Sequence, residues 1–109
     1  MKTGLMAVLL GTALSLVAFQ ALPRCTAVDP DTGKTGDMIS AKGENLGKNY
    51  MSEMYLTDGQ KDTKVTIDRQ SDGEVQFKVP TIKPGRYRLA ILTANKASMI
   101  EQPVVLTVE

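Results

Sequence analysis

Apolar and polar side chains alternate in short runs along most of the chain that follows residue 25. The clearest run is Glu74–Val79, in which valine, phenylalanine and valine alternate with glutamate, glutamine and lysine. Because successive side chains of a β-strand point to opposite faces, this pattern predicts a strand that buries one face. Met38–Lys42 shows the same pattern, with Ile39 and Ala41 on its apolar face.

Seven runs are predicted as strands, separated by clusters of glycine, proline, asparagine and aspartate. They are Cys25–Val28, Met38–Lys42, Glu53–Leu56, Lys64–Ile67, Glu74–Val79, Arg86–Thr93 and Met99–Glu109. Residues 31–37 are predicted as turn throughout, because they are built from turn-forming residue types. Just before the third run, the spacing of Tyr50, Met51 and Met54 leaves open one helical turn that crosses between sheets. Seven short strands with turns at this spacing predict an all-β fold, an immunoglobulin-like β-sandwich.

The segment Gly43–Gly47 is predicted to be the turn that ends the second strand. Its glycines, Gly43 and Gly47, bracket Asn45, and these residue types tolerate left-handed backbone where a larger side chain would clash. Pro80 is predicted to end the fifth strand, since proline cannot donate a hydrogen bond to a central ladder.

Another turn, containing Pro84 and Gly85, precedes the sixth predicted strand. Tyr87 follows closely, on the face that also carries Leu89 and Ile91. This arrangement resembles the tyrosine corner of sandwich domains, in which the tyrosine hydroxyl bonds to the backbone a few residues upstream. We therefore expect Tyr87 to be buried with its hydroxyl hydrogen-bonded.

Residues 1–24 are predicted as a signal peptide. A lysine near the start precedes a mostly apolar run, Leu5–Phe19, and no further charge occurs before Arg24. The cleavage position stays open among Ala18, Gln20 and Ala21. Retention as an uncleaved anchor also stays open, although a spanning helix needs roughly 20 mostly apolar residues. We expect residues 25–109 to form the domain, in the periplasm, at the envelope or outside a bacterial cell, with membrane contact only through the N-terminal segment.

Cys25 is the one cysteine of the chain, so an intramolecular disulfide is excluded. Lipidation of this residue is disfavoured, because Pro23 and Arg24 stand where lipoprotein signals carry small residues. We expect a small apolar residue at the start of the first strand. Pairing with a second chain remains an alternative for a cysteine in an exported protein.

The composition excludes several kinds of catalytic and binding site. The absence of histidine excludes Ser-His and Cys-His dyads and histidine metal sites. Lys and Arg number 13 and Asp and Glu number 12, and they are mixed along the chain, so no basic stripe for nucleic acid is predicted. Asp68–Gly73 begins like a calcium loop, but Val79 occupies the position of the bidentate acid, so an ordinary turn is expected. No catalytic residue, cofactor or metal is predicted.

The order of these features resembles the IPT/TIG family of immunoglobulin-like domains. In that family a proline and a glycine-containing turn precede a strand that ends in a Gly-x-Asn-x-Gly turn, as Pro30, Gly36 and Gly43–Gly47 do here. A strand ending in Val-Pro follows, as in Val79-Pro80, and then a Pro-Gly turn into an aromatic strand, as in Pro84–Tyr87. The resemblance covers residues 26–109, with no clear family pattern between residues 50 and 67.

The resemblance implies a non-catalytic binding or spacer module with no fixed ligand. We expect an unidentified protein or envelope component as the partner, bound by a sheet face or an edge strand. The alternative is a carbohydrate-binding accessory domain that uses Tyr50 and Tyr55 as its aromatic platform. The chain has no tryptophan, so we favour packing at the sheet rim for both tyrosines.

Overall fold

The computed structural model describes residues 21–109, and residues 1–20, which carry most of the predicted signal peptide, lie outside the described residues. Nine strands form within the described part: β1 Arg24–Asp29, β2 Thr32–Gly33, β3 Met38–Glu44, β4 Met51–Thr57, β5 Asp62–Lys64, β6 Thr66–Gln70, β7 Glu74–Lys78, β8 Gly85–Thr93 and β9 Met99–Val108. Over the same residues, no helix is long and apolar enough to cross a membrane.

The strands form two sheets that pack face to face. The four-stranded sheet has the order β1-β3-β7-β6, and the five-stranded sheet has the order β2-β9-β8-β4-β5. Strands β2 and β9 pair in parallel, and the other pairs are antiparallel. The predicted immunoglobulin-like β-sandwich is therefore confirmed.

The core lies between the two sheets and follows the alternation read from the sequence. Ile39 and Phe77 come from the four-stranded sheet, Leu56 and Ile91 from the five-stranded sheet, and all four are fully buried. Burying a side chain of this size stabilises the fold by about 1.5–3 kcal/mol relative to leaving it exposed. The core side chains of the two sheets therefore hold the layers together.

Two predicted segments differ from the structure. Residues 31–37 are not turn throughout, because β2 pairs with Thr107 and Val108 of β9. Lys64–Ile67 is not one strand: Lys64 ends β5 in one sheet and Thr66 begins β6 in the other. Between them Val65 is buried and donates its N–H to the Met54 carbonyl oxygen at 3.0 Å. The chain thus crosses between the sheets at this one residue.

The sequence left open a helical turn or a strand near Tyr50, and the structure has one turn followed by a strand. The N–H groups of Tyr50 and Met51 both donate to the Gly47 carbonyl oxygen at 2.9 Å, which closes one turn. Strand β4 starts at Met51 and includes Met54, so the helical alternative is wrong for both methionines. The prediction of a strand over Glu53–Leu56 is confirmed.

Candidate functional site

The turn residues singled out in the sequence occupy one end of the sandwich. Gly43 is part of β3, which runs on to Glu44, so the predicted turn starts later than expected. A Cβ atom on Gly43 would lie 1.9 Å from the Arg24 carbonyl oxygen, so close strand packing requires the glycine. Asn45 has a positive φ of 55°, as the turn prediction requires. At Gly47 an added Cβ would lie 2.1 Å from the Asp72 carboxylate, so this turn packs against the β6–β7 connection.

The tyrosine corner lies at the other end of the five-stranded sheet. Pro84 precedes β8 and Gly85 opens it. The Tyr87 hydroxyl donates to the Lys83 carbonyl oxygen at 2.5 Å, as expected. The ring is half-buried rather than buried, because it packs against the edge of the core and also lines surface grooves. Pro80 follows the end of β7, and its carbonyl oxygen accepts a hydrogen bond from the Thr35 hydroxyl at 3.3 Å.

Tyr50 and Tyr55 are half-buried and lie in different surroundings. Tyr50 lines a groove of about 410 Å³ together with residues 21–23 and the 93–98 turn. Tyr55 lies within β4, where it pairs with Ala90 of β8 and Lys64 of β5. Roughly 16 Å of extended chain separates the two positions, at about 3.3 Å per residue. The structure therefore does not bring the two rings together in one groove.

A larger groove, which we call the edge groove, opens along the free side of β6. It has a volume of about 650 Å³ and is lined by Lys48, Ser52, Glu53, Lys64, Val65, Thr66, Ile67, Asp68 and Gln70. β6 pairs with β7 on one side and is the outermost strand of its sheet. In an antiparallel edge strand, part of the backbone N–H and C=O groups point away from the paired neighbour.

Polar contacts fix the walls of the edge groove. The Lys64 ammonium lies 3.3 Å from the Glu53 carboxylate, and the Tyr55 hydroxyl donates to the same carboxylate at 2.9 Å. The hydrogen bond from Tyr55, and then that from Lys64, lowers the pKa of Glu53. The bond to Glu53 in turn raises the pKa of Tyr55. On the opposite wall, the Gln70 amide donates to the carbonyl oxygens of Leu46 and Met51 at 2.9 and 3.1 Å.

The other outer strands of the described residues are β1, β2 and β5. β2 has two residues and β5 has three. The start of β1 is joined to β9, because the Cys25 N–H donates to the Gln102 side-chain oxygen at 2.7 Å. Of the outer strands, β6 contributes most to the edge groove, with four of its five residues in the lining.

The edge groove can bind a ligand through backbone and side-chain hydrogen bonds. Within residues 21–109 no group of three or more carboxylate or thiol side chains is placed to hold a metal ion. The sequence predicts binding at an edge strand but does not identify the strand. The five residues Thr66–Gln70 have no clean alternation, and only the sheet order identifies them as an edge.

Many solved structures are similar to this chain, and three of them illustrate the likeness. A structural genomics protein of unknown function from Bacteroides thetaiotaomicron superposes with a TM-score of 0.71 at 16% identity, over 84% of this chain and 22% of that one. The gamma-CGTase from Alkalophilic bacillus clarkii gives 0.60 at 17% identity, over 78% and 12%. The Bacteroides ovatus protein SGBP-B, solved with a mixed-linkage heptasaccharide, gives 0.55 at 17% identity, over 82% and 23%. The chain therefore spans less than a quarter of the length of each, and the likeness concerns the fold.

The family comparison is more specific. No curated protein matches the chain. The model of the IPT/TIG domain matches residues 23–108, which include all nine strands and the turns that carry the sequence resemblance. The chain belongs to the IPT/TIG domain family.

Proposed function

We propose that this protein is an exported, non-catalytic module that binds an extended segment of a partner protein along the free side of β6. The observation that carries the proposal is the edge groove, where the outer strand β6 faces an opening of about 650 Å³. Membership of the IPT/TIG family supports a non-enzymatic interaction module.

The mode of binding is addition of a strand to the four-stranded sheet. Main-chain hydrogen bonds supply affinity in this mode, and alternate side chains of the added strand supply specificity. The register of β6 against β7 shifts between Ile67 and Arg69, so Asp68 is the extra residue of a bulge. A bulge and exposed charges oppose indiscriminate pairing along an edge, so a partner strand must accommodate both. The partner segment is therefore short and carries charges that complement Asp68 and Arg69.

Export is supported by the sequence layout of the N-terminal segment. A basic start, an apolar run over Leu5–Phe19 and small residues before Arg24 are typical of secretory signals. The site of action in the proposal is thus the periplasm, the envelope or the cell exterior. N-terminal sequencing of the protein recovered from cell fractions tests this part.

A carbohydrate-binding accessory role is the second candidate. The similar structure from Bacteroides ovatus was solved with a mixed-linkage heptasaccharide. Oligosaccharides are therefore the second ligand class for this domain. In the platform first suggested, Tyr50 lines a groove beside residues 21–23, whereas Tyr55 lies within β4 and does not line that groove. Protein binding at β6 is therefore the proposal that the geometry favours for the edge groove.

The test places a photo-cross-linking amino acid at Asp68 in the full chain, expressed in its own cells. Lys42 is the matched control, because it is also exposed and charged but lies on β3, inside the same sheet. We expect a reproducible protein adduct from position 68 and none from position 42. Equal adducts from both positions, or none from position 68, would contradict binding at the edge.

The captured partner is then mixed with the purified chain for hydrogen exchange. Strand addition predicts slower exchange of backbone amides within Thr66–Gln70, because the outward N–H groups gain acceptors. Protection elsewhere, with Thr66–Gln70 unchanged, would rule out strand addition even if the partner binds.

A further inference from the structure

Two grooves meet at the tyrosine corner, away from the edge groove. The first, which we call the corner groove, has a volume of about 500 Å³, and its lining includes Asp58, Lys61, Thr81, Ile82, Lys83 and Tyr87. The second measures about 410 Å³ and shares Asp58 and Tyr87 with the first. It adds Arg86 and Arg88 to the lining. The two grooves adjoin at Asp58 and Tyr87, so together they form one continuous surface.

The floor of the corner groove is apolar and held in place. Ile82 and Tyr87 pack against the core while remaining partly exposed. The hydroxyl of Tyr87 is fixed by the Lys83 carbonyl oxygen, and the ring lies close to Gly85, where an added Cβ would be 3.7 Å from it. Because the hydrogen bond holds the ring in one orientation, a ligand that packs on the ring loses little further side-chain entropy.

The 58–61 turn forms a defined rim beside this floor. One carboxylate oxygen of Asp58 accepts the backbone N–H groups of Gln60 and Lys61 at 2.9 and 2.8 Å. These two bonds direct the carboxylate into its own turn. The N–H of Gly59 donates to the Thr57 hydroxyl at 3.1 Å, which ties the turn to β4.

The charges around the two grooves are unbalanced. Four cations line them, at positions 61, 83, 86 and 88, against two carboxylates, at positions 58 and 101. Arg88 is paired with Glu101 at 3.1 Å. Lys61, Lys83 and Arg86 are exposed, and none of the three is in an ion pair within the described residues. Residues 21–109 as a whole carry 12 basic and 12 acidic side chains, so this surface concentrates positive charge that the domain otherwise balances.

We propose that the corner groove binds a polysaccharide that carries carboxylate groups. The apolar C–H face of a sugar ring lies on Tyr87 and Ile82, and carboxylates along the polymer meet Lys83 in the corner groove and Arg86 in the adjoining groove. Thr81 and the rim turn offer hydrogen-bonding groups to the sugar hydroxyls. The site is independent of strand addition at β6, since it shares no lining residue with the edge groove.

A carboxylated sugar fits these observations better than an acidic peptide. A flat ring matches a floor made of one fixed aromatic ring and one aliphatic side chain, and a polymer can run across both grooves. An acidic peptide needs the cations but makes no specific use of the ring. The contribution of Tyr87 therefore separates the two ligands in the test.

The test measures binding of the full chain to polygalacturonate, with neutral dextran and polyglutamate as comparison polymers. We expect binding to polygalacturonate only, and weaker binding when salt rises from about 0.05 M to about 0.5 M, because salt screens exposed charges. The ring protons of Tyr87 should shift in the NMR spectrum on binding, while those of Tyr50 and Tyr55 stay in place. The Tyr87 signals are assigned from the spectrum of Tyr87→Phe.

The charge requirement is tested with matched double variants. Lys83→Gln with Arg86→Gln should weaken binding about tenfold or more, because both cations that attract the carboxylates of the polymer are lost. Lys42→Gln with Lys78→Gln removes the same charge from exposed positions of the four-stranded sheet and should leave binding unchanged.

Four results would overturn the proposal. They are no binding of the unaltered chain to polygalacturonate, equal weakening by both double variants, equal or tighter binding of polyglutamate, and binding that leaves the Tyr87 ring signals unmoved. Hydrogen exchange of Thr66–Gln70 on adding the captured protein partner should be the same in the Lys83→Gln/Arg86→Gln variant, so failure here is distinguishable from failure at the edge groove.

Discussion

The hydroxyl of Tyr87 donates a hydrogen bond of 2.5 Å to the carbonyl oxygen of Lys83, which lies four residues earlier in the chain. The bond spans the turn through Pro84 and Gly85 and ties it to the first residues of β8. It also holds the ring in the floor of the corner groove. One hydroxyl thus orders a turn and a surface together.

Removing this hydroxyl should destabilise the domain. We expect Tyr87→Phe to lower the free energy of unfolding by about 1–1.5 kcal/mol, the usual net value of a hydrogen bond. For a domain of this size that corresponds to a drop in Tm of roughly 4–10 °C by calorimetry. Tyr55→Phe is the control, because its bond to Glu53 joins two side chains on the outer face of the sheet. Equal Tm values for Tyr87→Phe and the unaltered chain would contradict the role of the corner.

The contact between Gly43 and the β1 backbone predicts a severe effect of a small substitution. An alanine Cβ at this position would lie 1.9 Å from the Arg24 carbonyl oxygen, so the β1–β3 pairing must shift. We expect Gly43→Ala to cost about 3 kcal/mol or more in urea unfolding. Gly73→Ala, where nothing lies within 4 Å of an added Cβ, should change stability by less than about 1 kcal/mol. Similar costs for both would show that the close approach is not what requires Gly43.

Gln102 joins the two sheets through its side chain. It is 2% exposed, and its oxygen is the acceptor for the Cys25 N–H at 2.7 Å. Gln102→Leu would leave that buried N–H without a partner, at a cost of about 1–3 kcal/mol. The matched change Gln76→Leu, on the half-buried outer face of β7, should cost less than about 0.5 kcal/mol. A neutral result for Gln102→Leu by chemical denaturation would mean that this bond contributes nothing to closing the sandwich.

Burial of the Cys25 side chain predicts a loss of stability in alkaline solution. Burial raises the pKa of its thiol from 9.0 to about 11. Above pH 9 the unfolded chain loses this proton while the folded chain keeps it, so stability falls as pH rises to 11. A difference of this size corresponds to roughly 2–3 kcal/mol over that range.

Cys25→Ala isolates this effect. The other titrating groups are unchanged in the variant, so the difference in unfolding free energy between the two proteins should shrink from pH 8.5 to pH 11. The native thiol should also react slowly with a disulfide reagent at pH 8, and rapidly in denaturant. A constant difference across the pH range, or fast labelling of the native protein, would contradict the burial of Cys25.

Features that depend on residues close together in the sequence could be predicted. The tyrosine corner is of this kind, because its hydrogen bond spans four residues and its turn is marked by Pro84 and Gly85. Strand β7 is another, since its alternation decides which face is buried without reference to its partners. Burial of Tyr87 was overestimated, because its exposure depends on how far the 58–61 and 81–83 turns cover the ring.

Features that depend on contacts between residues far apart in the sequence could not be predicted. β2 exists only because β9 lies alongside it, and two residues carry no alternation of their own. The alternation around Val65 is the same whether the chain stays in one sheet or crosses to the other. Gly43 looks like a turn residue, but the reason for it is the backbone of Arg24 on the neighbouring strand. The edge groove combines two sheets, so only the sheet order identifies it.

The linking of Cys25 to Gln102 also determines how the domain carries a mechanical load. It places the start of β1 beside the start of β9, so Arg24 lies at one end of the sandwich and Val108, paired with Gly85, at the other. A tension applied between the two ends pulls β1 along β3 and β9 along β8, parallel to the strands. Ladder hydrogen bonds run perpendicular to the strands, so many of them bear such a force together instead of opening one by one. We therefore expect the domain to resist a force applied between Arg24 and Val108 more strongly than a force that peels the strands apart one bond at a time.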